Sequence, residues 1–230
     1  MIHSYFRASS VSLANRTSAV SCYLYNGINS AMSLSSDVYL SSILAKYGVK
    51  TSHVPLVRQI LFPHVTQWSA GFLLSMGVSG SLAKGTAVSS GTDTDFFISL
   101  SSTTPDSLQR IYETLFDRLN QAGFSPRKQN VSIGVNVVGH KVDIVPGRRQ
   151  GQQGNDHSLY VSKRNTWVQT NVVTHISLVV GSGRIDEIKL TKIWRNQRNL
   201  EFPSFYLELA VIDALTYCRR GQIADNVWEV

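Results

Sequence analysis

Cysteine is scarce: Cys22 and Cys218 are the only two in 230 residues, far apart and without metal-ligand spacing. Two unpatterned cysteines give no disulfide framework and imply a reducing, cytoplasmic setting. Charged residues are also sparse, 16% against 43% hydrophobic, which excludes a disordered chain and fits an ordinary globular one. Long apolar runs are missing. None reaches the ~18–20 residues of a membrane span, and the stretch 70–78 is broken by serine and glycine, so no membrane partner is expected. Acid is absent before Asp37. With Arg7, Arg16 and many serines, that start mimics a transit peptide; the plainer readings are a disordered tail or a start placed too early, Met32 being a more ordinary beginning. Residues 1–36 show no periodicity and are assigned no stable structure. Acids are outnumbered overall, 15 against 22 Lys and Arg, for a formal charge of +7 and a pI near 9.5. That balance suits a polyanionic partner such as a nucleotide or RNA.

What is present centres on Gly80 to Leu100. An apolar run ending at Val78 leads into Gly80-Ser81, then a polar Lys84-Gly85-Thr86 segment, then Asp93 and Asp95 at the head of an apolar strand. Side chains at i and i+2 of a strand share a face, so the two carboxylates project together and repel unless a cation lies between them. The occupant suited to such an all-oxygen site is Mg²⁺ or Mn²⁺. A Gly-Ser turn with free backbone N–H groups just upstream can hold the phosphates that such a metal bridges. Later, Lys141-Val-Asp-Ile-Val145 reads as a strand stopped by Pro146, with Val142 and Ile144 on one face and Asp143 on the other. A lone acid there ordinarily marks the exposed face of an edge strand; beside a pair of acids lacking a third ligand, Asp143 is the candidate.

The remaining pattern predicts an α/β (α+β) protein. A helix is expected from Asp37 to Gly48, and a second from Pro55, kinked or split at Pro63. Strands are expected at 72–78 and 96–100. Thr104 is expected to cap a helix with Pro105 at its first position, Leu108, Ile111, Leu115 and Leu119 as its core stripe, and Gly123 past its end. Asn130–Val138 alternates as a strand, with Gly139-His140 as a hairpin turn. A polar loop covers 147–156. Helices are expected from Arg184 to Asn199 and, after Pro203 and a Ser204 cap, from Phe205 to Cys218, the latter buried on all sides. The domains are read as 1–36 disordered or mis-started, 37–160 catalytic, and 161–230 helical. That helical part is short of partners and is either truncated or completed in an oligomer.

Taken together, Gly80-Ser81, Asp93-Thr94-Asp95 and Asp143 resemble the signature of the polymerase-beta-type nucleotidyltransferase superfamily, in its template-independent branch. Gly80-Ser-Leu-Ala-Lys-Gly-Thr-Ala87 is similar to the segment found in oligoadenylate synthases and bacterial cyclic-oligonucleotide synthases. Lys141-Val-Asp-Ile-Val-Pro146 resembles the third-aspartate strand of those enzymes and of archaeal CCA-adding enzymes. Ile188-Lys-Leu-Thr-Lys-Ile-Trp194 and Phe202-Pro-Ser-Phe-Tyr-Leu-Glu-Leu209 resemble the start of the helical domain in the same group, so the likeness covers about residues 70–215. It implies a mixed β-sheet flanked by helices, followed by a small helical domain. It also implies transfer of a nucleotidyl group from an NTP, ATP foremost, to a hydroxyl, using two ions of Mg²⁺ or Mn²⁺. In that scheme Asp93 and Asp95 ligate both metals, Asp143 ligates the one that activates the acceptor hydroxyl, and Gly80 and Ser81 hold the terminal phosphates. Lys189, Lys192 and Asn196 share a helical face, which reads equally as a solvated basic face or as a contact to the triphosphate; the resemblance favours Lys192, then Lys189. Lys84 is placed at phosphate or acceptor, or on the surface. Thr86 supports the turn. His157, Tyr160, Trp167 and Tyr206 read as structural or buried before they read as ligand contacts. The product expected is a cyclic or linear oligonucleotide signal. The alternatives are nucleotide addition to an RNA 3′ end, with RNA as acceptor or activator, and a non-catalytic NTP- or RNA-binding module.

Overall fold

The computed structural model describes residues 30–91 and 93–230, with side chains from residue 36 onward. They fall into two units: Tyr47–Ile185, and Asp186–Val230 together with the first helix, α1 (Ser30–Lys46). The residues before 30 that were read as structureless lie outside the described residues, and 30–36 belong to α1, which starts earlier than the expected Asp37.

In the larger unit, α2 (Val54–Trp68) has Pro55 in its first turn and buries Val57, Leu61 and Val65, one residue per turn. The expected split at Pro63 does not occur: the helix runs through it. Pro63 sits on the exposed face, where water can satisfy the carbonyl that its missing N–H leaves unpaired. β1 (Leu73–Val78) then delivers a single helical turn, α3 (Gly80–Ala83), and β2 (Thr94–Leu100) begins two residues earlier than the apolar run suggests. The next helix, α4 (Leu108–Gln121), starts later than expected. Ser107 caps it by accepting from the Arg110 N–H at 3.1 Å, while Thr104 is spent in a turn, its hydroxyl donating to the Ser101 carbonyl at 2.7 Å. Ile111, Leu115 and Leu119 are buried as the stripe predicts, and Tyr112 joins them.

β3 (Arg127–Lys128), β4 (Ile133–Val137), β5 (His140–Arg149), β6 (His157–Val161) and β7 (Thr166–Thr170) complete a seven-stranded mixed sheet ordered β1-β2-β5-β4-β3, with β6 beside β5 and β7 beside β6. Only β2 and β5 run parallel. The hairpin turn between β4 and β5 is Val138-Gly139, at φ 51° and 81°, one residue before the expected Gly139-His140; His140 already pairs with Val137. Nor does Pro146 stop β5. It falls between the last pairing with β4 (Ile144 to Ile133) and the first with β6 (Arg148 to Ser158), where that edge of β5 has no ladder bond to lose. Phe96, Ile98, Leu100, Ile133, Val135, Val142 and Ile144 form the sheet's share of a core with α2 and α4. α5 (Val172–Ser182) follows, capped by Asn171. The strands β6 and β7 thus extend the sheet beyond residue 160, where the catalytic part was expected to end, and the larger unit continues to Ile185.

In the smaller unit, α6 (Ile185–Gln197), α7 (Ser204–Ala214) and α8 (Ile223–Glu229) bury Ile188, Ile193, Leu207, Val211 and Ala224. α8 has no counterpart in the sequence reading. Its Ala224 N–H donates to Asp37 Oδ1 at 2.7 Å, and the Asn226 amide donates to Glu187 Oε1 at 2.9 Å. α7 is not buried all round as expected, since Tyr206 is 67% exposed. No described helix is long and apolar enough to cross a membrane.

Candidate active site

The ends of β2 and β5 bring the predicted carboxylates to one place. Asp95 and Asp143 are partners in the parallel ladder, so their side chains leave adjacent strands, ~4.8 Å apart, in the same direction. Asp93 stands two residues before Asp95, exposed, at the mouth of β2. Thr94 between them points to the opposite face, where its hydroxyl is 2.9 Å from His53 Nε2. His53 stacks on His140 with ring centroids 4.0 Å apart; burial and the His140 charge hold its pKa below the ordinary value. This histidine pair went unread in the sequence, because neither residue carries a spacing signal.

Asp143 feels its neighbours. Burial raises its carboxyl above the ordinary aspartate range and the Asp93 charge adds to the rise, while hydrogen bonds from Gln129 and Ser132 and the Arg127 charge pull it back. Nε2 of Gln129 donates to Asp143 Oδ1 at 2.8 Å, and the Ser132 hydroxyl lies 2.9 Å from Gln129 Oε1 and 3.4 Å from Asp143 Oδ2.

The Gly80 turn is shaped around Asp95. Gly80 has φ +59°, and a Cβ there would lie 1.8 Å from Asp95 Oδ2. The preceding Ser79 N–H donates to the Asp95 carbonyl at 2.9 Å, so turn and strand are tied together. Only glycine allows both the backbone conformation and the close approach. Thr86 is fully buried and its N–H donates to the Ser81 carbonyl at 2.9 Å, supporting the turn as expected. Lys84 is buried, at 7% exposure, not a surface lysine. Gly80, Ser81 and Lys84 therefore belong to one tight turn beside Asp95.

The other candidates each have surroundings of their own. His157 is buried in the sheet, Nε2 2.7 Å from the Ser99 hydroxyl and Nδ1 2.8 Å from the Asn155 carbonyl oxygen, edge-on to Phe97. Tyr160 donates to Asn165 Oδ1 at 2.9 Å. Trp167 is 55% exposed rather than buried. Lys189 and Lys192 belong to the smaller unit. There Lys192 is buried in an ion pair with Glu208 at 2.6 Å, and Lys189 lies 4.0 Å from Asp186 on the surface.

The acidic cluster suits a hard divalent cation. Its donors are all carboxylate oxygens, from Asp93, Asp95 and Asp143, carried on two adjacent strands, and glycine at position 80 keeps the space beside Asp95 clear of a side chain. Among the described residues no three acidic, histidine or cysteine side chains stand together closely enough to hold a metal ion.

No protein-family model matches the chain. Over 156 residues it is 31% identical to the cyclic AMP-AMP-AMP synthase of Escherichia coli (strain MS 115-1), covering 60% of this chain and 49% of that protein. The chain thus spans about half the length of the curated relative it matches. Among solved structures it resembles CdnC of E. coli MS115-1 with ATP (26% identity, TM-score 0.56, covering 71% of this chain and 57% of that one). It also shares the fold of CdnG of Bradyrhizobium diazoefficiens in complex with GTP (15% identity, TM-score 0.65, covering 84% and 74%). The resemblance to polymerase-beta-type nucleotidyltransferases of the cyclic-oligonucleotide-synthase kind is therefore present in both sequence and fold.

Proposed function

We propose that the chain carries the catalytic unit of a divalent-metal-dependent nucleotidyltransferase. It would join NMP units from NTP, with release of pyrophosphate, into a cyclic or linear oligonucleotide. One observation carries the reading: Asp95 and Asp143 stand in register on parallel strands, with Asp93 two residues ahead and Gly80 packed against Asp95. Bound Mg²⁺ or Mn²⁺ would supply charge neutralisation at phosphorus and at the attacking and leaving oxygens. The protein's own share is placement. Asp93 and Asp95 hold cations from one strand mouth, and Asp143 holds a carboxylate toward the acceptor hydroxyl from the next strand. The turn at Gly80 and Ser81 presents backbone N–H groups to the terminal phosphates. Phosphoryl chemistry of this kind needs little covalent help and depends on such positioning. ATP is the donor proposed, because the matched synthase makes a product of AMP units and the similar CdnC structure contains ATP.

The test is incubation of labelled ATP, alone and with the other NTPs, with Mg²⁺ and with or without RNA, followed by mass spectrometry of the products. RNA-independent oligonucleotides that vanish in Asp95→Ala support the reading. Label appearing only on RNA 3′ ends would move the acceptor to RNA, and activity unchanged in Asp95→Ala would sink the catalytic assignment.

A further inference from the structure

Asp143 is not held by its strand alone. Gln129 reaches it from the short connection between β3 and β4, and the amide can be oriented in only one sense. A carboxylate oxygen accepts and does not donate, so the amide nitrogen faces Asp143 Oδ1 at 2.8 Å and donates, which leaves the amide oxygen to accept from the Ser132 hydroxyl at 2.9 Å. The Ser132 hydroxyl has one proton to give; it sits at 2.9 Å from Gln129 Oε1 and at only 3.4 Å from Asp143 Oδ2. One carboxylate oxygen is therefore committed to the protein, and the other is held far more weakly.

The connection that carries Gln129 is pinned at several points. The Gln129 N–H donates to the Tyr112 hydroxyl at 3.0 Å and lies 3.0 Å from the Ser132 carbonyl oxygen, and the Ser162 hydroxyl donates to the Gln129 carbonyl at 2.6 Å. Room for the amide comes from Gly134. A Cβ on that residue would meet Gln129 Nε2 at 2.7 Å and Asp143 Oδ1 at 3.3 Å. The backbone at Gly134 is ordinary strand, so its glycine is explained by this close approach and not by conformation.

We propose that Gln129 is a positioning residue for the third carboxylate: it anchors Asp143 Oδ1 and thereby turns Oδ2 toward the cation. The proposal rests on the metal-dependent reading above. Residues that orient a metal ligand in this way change metal affinity or activity about 10–100-fold when lost. Two variants remove the bond by different routes. Gln129→Leu deletes the donor. Gly134→Ala leaves the glutamine in place but occupies its seat; the flexible amide end has to give way, and Asp143 Oδ1, at 3.3 Å, is crowded by only a few tenths of an ångström.

The experiment titrates the full chain with Mn²⁺ alone, by calorimetry and by the loss of free-ion EPR signal, beside thermal melts and ATP turnover. Both variants are expected to bind Mn²⁺ about 10-fold or more weaker than the parent, with kcat lowered and the KM for ATP little changed. Should Gln129→Leu fail to fold, Gly134→Ala decides. Asp143→Asn is the reference. If it loses Mn²⁺ affinity while Gln129→Leu and Gly134→Ala keep it, the positioning role is overturned and the metal reading stands. If the parent binds no Mn²⁺, or Asp143→Asn binds it equally well, both fall.

Discussion

Replacing Gly80 with alanine separates backbone strain from displacement of a ligand. At φ +59° an alanine costs about 1–2 kcal/mol in the left-handed region. The new Cβ would also sit 1.8 Å from Asp95 Oδ2 and 2.6 Å from its Cγ, where ordinary contact begins near 3.4 Å. The carboxylate oxygen has to move by about 1.6 Å. It cannot do so by a slight retreat of the turn, because the Ser79 N–H to Asp95 carbonyl bond ties the two together. A misplacement on the order of 1 Å costs about 100-fold in rate, so Gly80→Ala should lower turnover of ATP by at least that factor. Gly85 provides the comparison: its φ is +71° and nothing lies within 4 Å of its would-be Cβ. Gly85→Ala should suffer the same strain without the collision. The assay is product formation from labelled ATP and Mg²⁺ for both variants, with melting curves to confirm that both fold with similar losses. Turnover in Gly80→Ala matching that in Gly85→Ala would refute the argument that the glycine exists to make room for Asp95.

Three further expectations concern stability. Lys192→Met takes the ion-pair partner from Glu208, a carboxylate with no exposure, and should destabilise the smaller unit by up to about 3–5 kcal/mol in urea unfolding; adding Glu208→Leu should recover part of that loss. Val138 holds a β-branched side chain at φ 51° in a two-residue hairpin turn, so Val138→Asn, giving the favoured Asn-Gly pair, should stabilise by about 1 kcal/mol, read from the denaturation midpoint. His157 has its pKa lowered, chiefly by burial, so the unfolded chain binds a proton more readily than the folded one. Stability contributed by neutral His157 is intact above the ordinary value near 6.5 and is lost as pH falls from there toward the folded-state value. His157→Gln should flatten that part of the stability-versus-pH curve, and an unchanged slope would contradict it.

Much of the architecture could be read from residue order, because the strongest signals were periodic. The stripe of Ile111, Leu115 and Leu119 and the alternation around Asp143 both describe faces that the structure buries as expected. The misreadings share a cause: local residue preference was taken at face value where tertiary surroundings decide. Pro63 is harmless on a solvent-facing turn of α2, and Pro146 is harmless where β5 lacks a neighbour on one edge. Thr104-Pro105 looked like the better helix start, yet Ser107 makes the capping bond. Lys84 reads more readily as a surface lysine than as a contact to phosphate or acceptor, because lysines usually are exposed, yet it is buried.

The aspartates were found because a pair at i and i+2 is a pattern that the chain states within three residues. Their alignment with Asp143 was not so stated: it depends on the single parallel pairing in the sheet, in which Asp95 and Asp143 become ladder partners across 48 positions of chain. The support for Asp143 was even less visible. Gln129 sits beside a two-residue strand, too short to show any period, and its link to α4 runs through a tyrosine hydroxyl that hydrophobic patterning counts only as an aromatic. Tyr112 did leave one clue. A tyrosine on a buried helical stripe must find a partner for its hydroxyl, and here the partners are the backbone groups of Gln129 and Ser132. The same bond that satisfies a core side chain thus fixes the connection holding the third carboxylate. Tyr112→Phe should therefore loosen Mn²⁺ binding as well as the core, whereas a core-only change such as Leu115→Ala should lower the melting temperature and leave Mn²⁺ affinity in the folded protein unchanged.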